Sequence, residues 1–164
     1  MNTYYLSLGA NLGERIATLK EAVRQLSQLP AVSLEAVSAA YETAPWGKTD
    51  QPAFINAAVK LTTNLTPPEL LTEAQQIEQK LGRIRHEHWG ARTIDIDLLF
   101  SPQITWHSDT LTMPHPYLKE RAFVLVPLAE IAPDEQLDGQ TVSNWLKQCS
   151  DKGKVDKLTG NCLK

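Results

Sequence analysis

Apolar and polar positions alternate from Tyr4 to Leu8 and the run stops at Gly9, so the chain opens on a strand. Beyond Gly9-Ala10-Asn11-Leu12-Gly13-Glu14, apolar residues recur at Ile16, Leu19, Val23 and Leu26, the spacing of an amphipathic helix. Asn11 is placed to cap that helix while Glu14 reaches back, and Pro30 stops it. Val32 to Tyr41 reads as a second strand, Glu42 to Pro52 as a loop and Phe54 to Leu61 as a third strand. Thr66-Pro67-Pro68-Glu69 is a strong helix start, with a Thr cap, Pro at the first position and Glu at the third. Leu70, Leu71, Ala74, Ile77 and Leu81 then form a buried stripe, Gln75, Glu78 and Gln79 lie off or beside it, and Gly82 ends the helix.

A loop from Arg83 to Arg92 leads into a strand ending at Phe100, and Ile104-Thr105-Trp106 reads as a short hairpin strand. Leu111 to Pro116 is extended, because residues before proline avoid the helical region. Phe123 to Leu128 is a last apolar run, read as strand, and Val142 to Leu146 starts a final helix. The order is strand, helix, strand, strand, helix, strand, then a C-terminal extension. It predicts a ferredoxin-like α+β fold, with helices packed on one face of a mostly antiparallel sheet and the opposite face left for a site. No repeat or linker divides the chain, so residues 1–164 are expected to form a single domain, with no assignment for the tail from about 149.

In the strand after the arginine loop, Asp95 and Asp97 stand two residues apart and so point to one face, while Ile94, Ile96 and Leu98 point to the core. Two carboxylates held that close repel and need a compensating cation. Mg²⁺ is the natural one, since it takes one or two carboxylates together with substrate phosphates. The plainer alternative is a charged edge strand protected against pairing. Asp is disfavoured in strands, yet two interrupt this one just after a basic loop, which favours the metal.

The composition, 42% hydrophobic and 21% charged over 164 residues, is that of an ordinary soluble protein. A net charge of −3 gives no global basic field for nucleic acid or an anionic membrane. The local density of basic residues between Arg83 and Arg92 suits a small anion instead. Cys149 and Cys162 form no metal-type pair, and no secretory segment follows Met1, so a cytoplasmic location is expected.

A metal-phosphate site implies phosphoryl-type transfer, which needs positioning and charge neutralisation more than a covalent nucleophile. Arg83, Arg85, Arg92 and Arg121 are candidate phosphate ligands, although Arg83 and Arg85 equally suit a helix C-terminus. Trp89 suits stacking on a flat ring or lying over hydrophobic surface, and His115, held between two prolines, suits a phosphate or an ordinary hydrogen-bonded surface position. His86 and His88 lack the further ligands of a zinc site. Phe54 and Phe123 count as core residues by pattern. Asn56, on the face of Phe54, either reads the mixed donor and acceptor edge of a heterocycle or bonds a neighbouring backbone. The segment Gly9 to Gly13 lacks both the GK[ST] of a phosphate loop and a GxGxxG, so it is a tight turn.

The stretch His88-x-Gly90-Ala91-Arg92-x-x-Asp95-Ile96-Asp97-Leu98-Leu99 closely resembles the signature of the 6-hydroxymethyl-7,8-dihydropterin pyrophosphokinase family of folate biosynthesis. Ser7 to Gly13, Tyr41 to Gly47, Gln51 to Ala58, and Pro114-His115-Pro116 with Glu120 to Leu128 resemble the same family in the same order. Tyr117 stands where many members carry a basic residue.

The resemblance implies a ferredoxin-like fold that moves the β,γ-pyrophosphate of ATP onto the pterin hydroxymethyl oxygen and releases AMP. It implies that Asp95 and Asp97 hold two Mg²⁺ ions and that Arg83 and Arg92 act on the phosphates. Gln75, Glu78, Arg85, Trp89, Leu98, Thr112, His115 and Arg121 match ATP contacts. Thr43, Ala44, Trp46, Phe54, Asn56 and Phe123 match the pterin pocket, with the ring stacked between the two phenylalanines. ATP and the pterin are then the partners, with no nucleic acid or membrane, and the chain is expected to be a monomer. The competing functions are a metal-dependent nucleotidyl transferase and a non-catalytic pterin- or nucleotide-binding module.

Overall fold

The computed structural model describes residues 1–10, 14–43, 53–85 (apart from the side chains of 83–85), 94–150, 155–158 and 163. The strands are β1 (Asn2–Ala10), β2 (Val32–Val37), β3 (Ala40–Thr43), β4 (Phe54–Thr63), β5 (Asp95–Phe100), β6 (Trp106–His107), β7 (Thr112–Met113), β8 (Gln136–Leu137), β9 (Gln140–Thr141) and β10 (Val155–Leu158). The helices are α1 (Arg15–Ser27), α2 (Pro67–Arg85), α3 (Ala122–Ile131) and α4 (Val142–Gln148), with a 3-10 turn at Leu118–Glu120.

The main sheet runs β10-β3-β4-β1-β5, every pairing antiparallel, and β2 joins the same edge of β4 as β3. One face is covered by α1 and α2. Leu19, Ala22, Val23 and Leu26 of α1 and Leu70, Ala74, Ile77 and Leu81 of α2 pack there on Leu6, Leu8, Ile55, Ala57, Val59, Ile96 and Leu98. These are the helical stripes that the sequence spacing predicts. The expected capping box opens α2: the Thr66 N–H donates to Glu69 Oε1 at 2.8 Å, and the Glu69 N–H donates to Thr66 Oγ1 at 3.4 Å.

Several expectations change. The apolar run Phe123 to Leu128 is helical, not a strand: α3 includes Pro127 and packs with α4 on the second face, against Tyr5, Ala58, Leu99 and Phe100. The sheet is therefore covered on both sides, and only part of the second face is left for a site. Val32 to Tyr41 is split into β2 and β3, because Ser38 leaves the ladder: its Oγ accepts the Ala58 N–H and donates to the Ala39 carbonyl. β3 then runs through Glu42 and Thr43, which the sequence reading places in a loop. Finally, α2 continues past Gly82 to Arg85. At α1, Glu14 occupies the N-cap without a side-chain cap bond, and Asn11 lies outside the described residues. Among the described residues, no helix is long and apolar enough to cross a membrane.

Candidate active site

The site grows from the side chains on the second face that α3 leaves uncovered. In register, Tyr41 faces Asn56, Asn56 faces Gly9 and Gly9 faces Asp95, so one row crosses β3, β4, β1 and β5. The neighbouring row carries Ala58, Ser7 and Asp97, and Thr43 faces Phe54 on the other side. Asp95 and Asp97 thus share the face opposite the α1/α2 core, as the period-2 reading requires. Asp95 is half-buried and Asp97 exposed. Two strand spacings, about 10 Å, separate the Asn56 and Asp95 backbones.

Gly9 makes the row possible. A Cβ there would lie 2.7 Å from Asn56 Nδ2, so the amide occupies the space that any other residue would fill. Asn56 is 6% exposed and Thr43 8%, and among the described residues neither Asn56 Oδ1 nor Thr43 Oγ1 has a hydrogen-bond partner. Buried polar atoms of this kind are rare and mark a missing partner. Among the described residues, no neighbouring backbone donor satisfies Asn56 Oδ1. Phe54 is 38% exposed rather than a core residue, and Phe123 sits in the first turn of α3, partly buried.

On the other side of the carboxylates, the outer edge of β5 is tied down by α2, where Glu78 Oε2 accepts the Ile96 N–H at 2.7 Å. Gln75 lies three residues earlier on α2 and is exposed. Leu98 is 2% exposed within the α1/α2 core. Its peptide groups face the same open edge as those of Ile96, so they, rather than its side chain, are available to a ligand there. Beside β5 lies the β6–β7 hairpin, in which Thr112 Oγ1 is 3.4 Å from His107 Nδ1. The His115 N–H donates to the Leu99 carbonyl at 2.7 Å, which fixes His115 against the end of β5. Burial lowers the pKa of the His115 imidazole below its ordinary value; the Asp97 charge opposes this and the Arg121 charge adds to it. Asp97 and Arg121 therefore lie within electrostatic reach of His115.

Of the described residues, only a small donor set could hold a metal. Among the described residues no group of three or more His, Cys, Asp or Glu converges. Two neighbouring carboxylates fit an ion that completes its shell with phosphate oxygens and water, as Mg²⁺ does, and fit a structural zinc or calcium site poorly. Ala44, Trp46, His86, His88, Trp89, Arg92 and Cys162 lie outside the described residues, as do the side chains of Arg83 and Arg85. Sequence reasoning missed Ser7, the neighbour of Asp97 across the ladder, and the pairing of β10 with β3. Alternation in β1 could have flagged the first; nothing local marks the second.

A sequence model of the family described as 7,8-dihydro-6-hydroxymethylpterin-pyrophosphokinase (HPPK) matches residues 5–133. The 2-amino-4-hydroxy-6-hydroxymethyldihydropteridine pyrophosphokinase of Methylorubrum extorquens is 47% identical over 153 residues, covering 93% of this chain and 97% of its own. The Bacillus subtilis protein of the same name is 42% identical over 160 residues, 96% of each chain. In fold, the chain is similar to the HPPK-DHPS A437G of Plasmodium falciparum with SDX-DHP, at a TM-score of 0.71 and 17% identity. It is also similar to the wild-type protein with pteroate, at a TM-score of 0.69 and 16% identity. These matches cover 90% of this chain but only 45% and 44% of the longer Plasmodium chains. With its two-faced antiparallel sheet and near-full-length relatives, the chain belongs to the 7,8-dihydro-6-hydroxymethylpterin-pyrophosphokinase family.

Proposed function

We propose that the family's transfer of pyrophosphate from ATP to 6-hydroxymethyl-7,8-dihydropterin takes place here across the row from Asn56 to Asp95. The observation that carries this reading is the unpartnered Asn56 amide oxygen, held in register with Gly9 and Asp95. A pterin ring presents adjacent N–H donors and ring acceptors, so it would satisfy both Asn56 Oδ1 and Thr43 Oγ1. Phe54 and Phe123 would stack on its two faces, and Ala44 and Trp46 would complete the pocket. The hydroxymethyl group would then lie toward the carboxylates.

In the reaction, the hydroxymethyl oxygen bonds to the β-phosphorus as the bond from that phosphorus to the α-phosphate oxygen breaks. AMP leaves and the hydroxyl gives up its proton. Asp95 and Asp97 would hold Mg²⁺, two ions by family resemblance, which supplies charge neutralisation for the triphosphate. Arg83 and Arg92 would bind the transferring phosphates through their paired N–H donors. Gln75, Glu78, Arg85, Trp89, the backbone at Leu98, Thr112, His115 and Arg121 would bind ATP. The segments 45–52 and 83–92 would exclude water that could intercept the transfer. A monomeric, cytoplasmic enzyme suffices for this chemistry.

The test is to incubate the protein with ATP, Mg²⁺ and the pterin and to measure AMP. The Asp97→Ala change is expected to abolish AMP formation while the pterin still binds with near wild-type affinity. Unchanged turnover in that variant would defeat the assignment.

A further inference from the structure

Arg121 lies between the 3-10 turn and α3, its guanidinium carbon 5.0 Å from the centre of the Tyr117 ring and 5.7 Å from that of Phe123. Among the described residues no carboxylate pairs with it. Two rings therefore hold this cation, and neither neutralises it. Tyr117 is 52% exposed, so filling the core does not account for its ring. Its backbone is nevertheless fixed. The Tyr117 N–H donates to His115 Nδ1 at 3.2 Å, the Tyr117 carbonyl accepts the Glu120 N–H at 3.1 Å, and His115 is anchored on β5.

A free arginine loses much rotamer freedom when it is fixed on a ligand, and a guanidinium already resting on ring faces has lost part of it beforehand. The aromatic faces attract the cation without using its N–H donors, which stay available for bidentate phosphate binding. We propose that Tyr117 is a positioning residue for the nucleotide: its ring holds Arg121 in place for the triphosphate of ATP. This rests on the reading of Arg121 as an ATP contact, given above.

The test compares KM for ATP, KM for the pterin and kcat in wild type, Y117A, Y117F, R121A and the double variant Y117A/R121A. Loss of an exposed cation–π contact raises the ATP KM about threefold in Y117A, with kcat and the pterin KM little moved. Y117F keeps the ring and restores the ATP KM to within about twofold of wild type, and the double variant is no weaker than R121A. An unchanged ATP KM in R121A would remove Arg121 from the nucleotide site and this proposal with it. A raised KM in R121A with none in Y117A would overturn the role of Tyr117 alone. So would a Y117F as weak as Y117A, or a double variant weaker than R121A by the full Y117A factor.

Discussion

A methyl group at position 9 would meet Asn56 Nδ2 at 2.7 Å, so Gly9→Ala displaces the amide from the row it shares with Asp95. Losing one well-placed hydrogen bond of this kind raises the pterin KM about tenfold and leaves the ATP KM near wild type, as steady-state kinetics would show. An equal rise for both substrates would contradict the division of the site. His115 gives a second residue-level expectation. Its folded pKa lies below the ordinary 6.5. The unfolded chain therefore takes up a proton near that pH while the folded one does not, and stability falls as pH drops through 6.5 toward the folded pKa. Asp97→Asn removes the charge that opposes this lowering, so the His115 pKa falls further in an NMR titration. A rise would place Asp97 elsewhere. Asp95, Asp97 and Asn56 could be picked out in the sequence because each is a polar residue set into an apolar strand. The contact of Tyr117 with Arg121 could not be read there, since a turn brings the two together.

At the scale of elements, α2 carries both a start signal and a site residue. Thr66→Ala removes one half of the reciprocal cap and costs about 1 kcal/mol, measurable by urea unfolding. Because Glu78 ties this helix to the outer edge of β5, slack in α2 would reach the carboxylates. α1 and α2 were legible because each has one wet face and one dry one. α3 was not: Phe123 to Leu128 is apolar throughout and so shows no period, and Pro127 argues against a helix until the second-face packing is known. The division between β2 and β3 escaped for a related reason. It depends on Ser38 binding Ala58 from twenty residues away, a contact that no local spacing reveals.

At the scale of the molecule, the described residues form two cores on one sheet, and the candidate site occupies what the second core leaves bare. Leu125 is fully buried in that core. Leu125→Ala is expected to cost about 2–5 kcal/mol in urea unfolding and also to raise the pterin KM, because Phe123 rides on the same helix. Lost stability with pterin binding intact would separate α3 from the pocket. The α1/α2 face and the strands beneath it were readable from periodicity, whereas the split of β2 from β3 and the α3/α4 cover of the second face were not. Family membership also settles the competition among functions, since a nucleotidyl transferase and a passive binding module are both replaced by an ATP-using diphosphotransferase.

The pairing of β10 with β3 has a temporal side. Val155, opposite Thr43, is translated roughly 110 residues later, and at about 5–20 residues per second that is a delay of roughly 5–20 s. Once β4 has been made, the nascent chain carries β3 with one flank bare for the rest of that interval, an invitation to neighbouring polypeptides on the same polysome. The ladder that holds Thr43 is completed only when the ribosome has delivered β10.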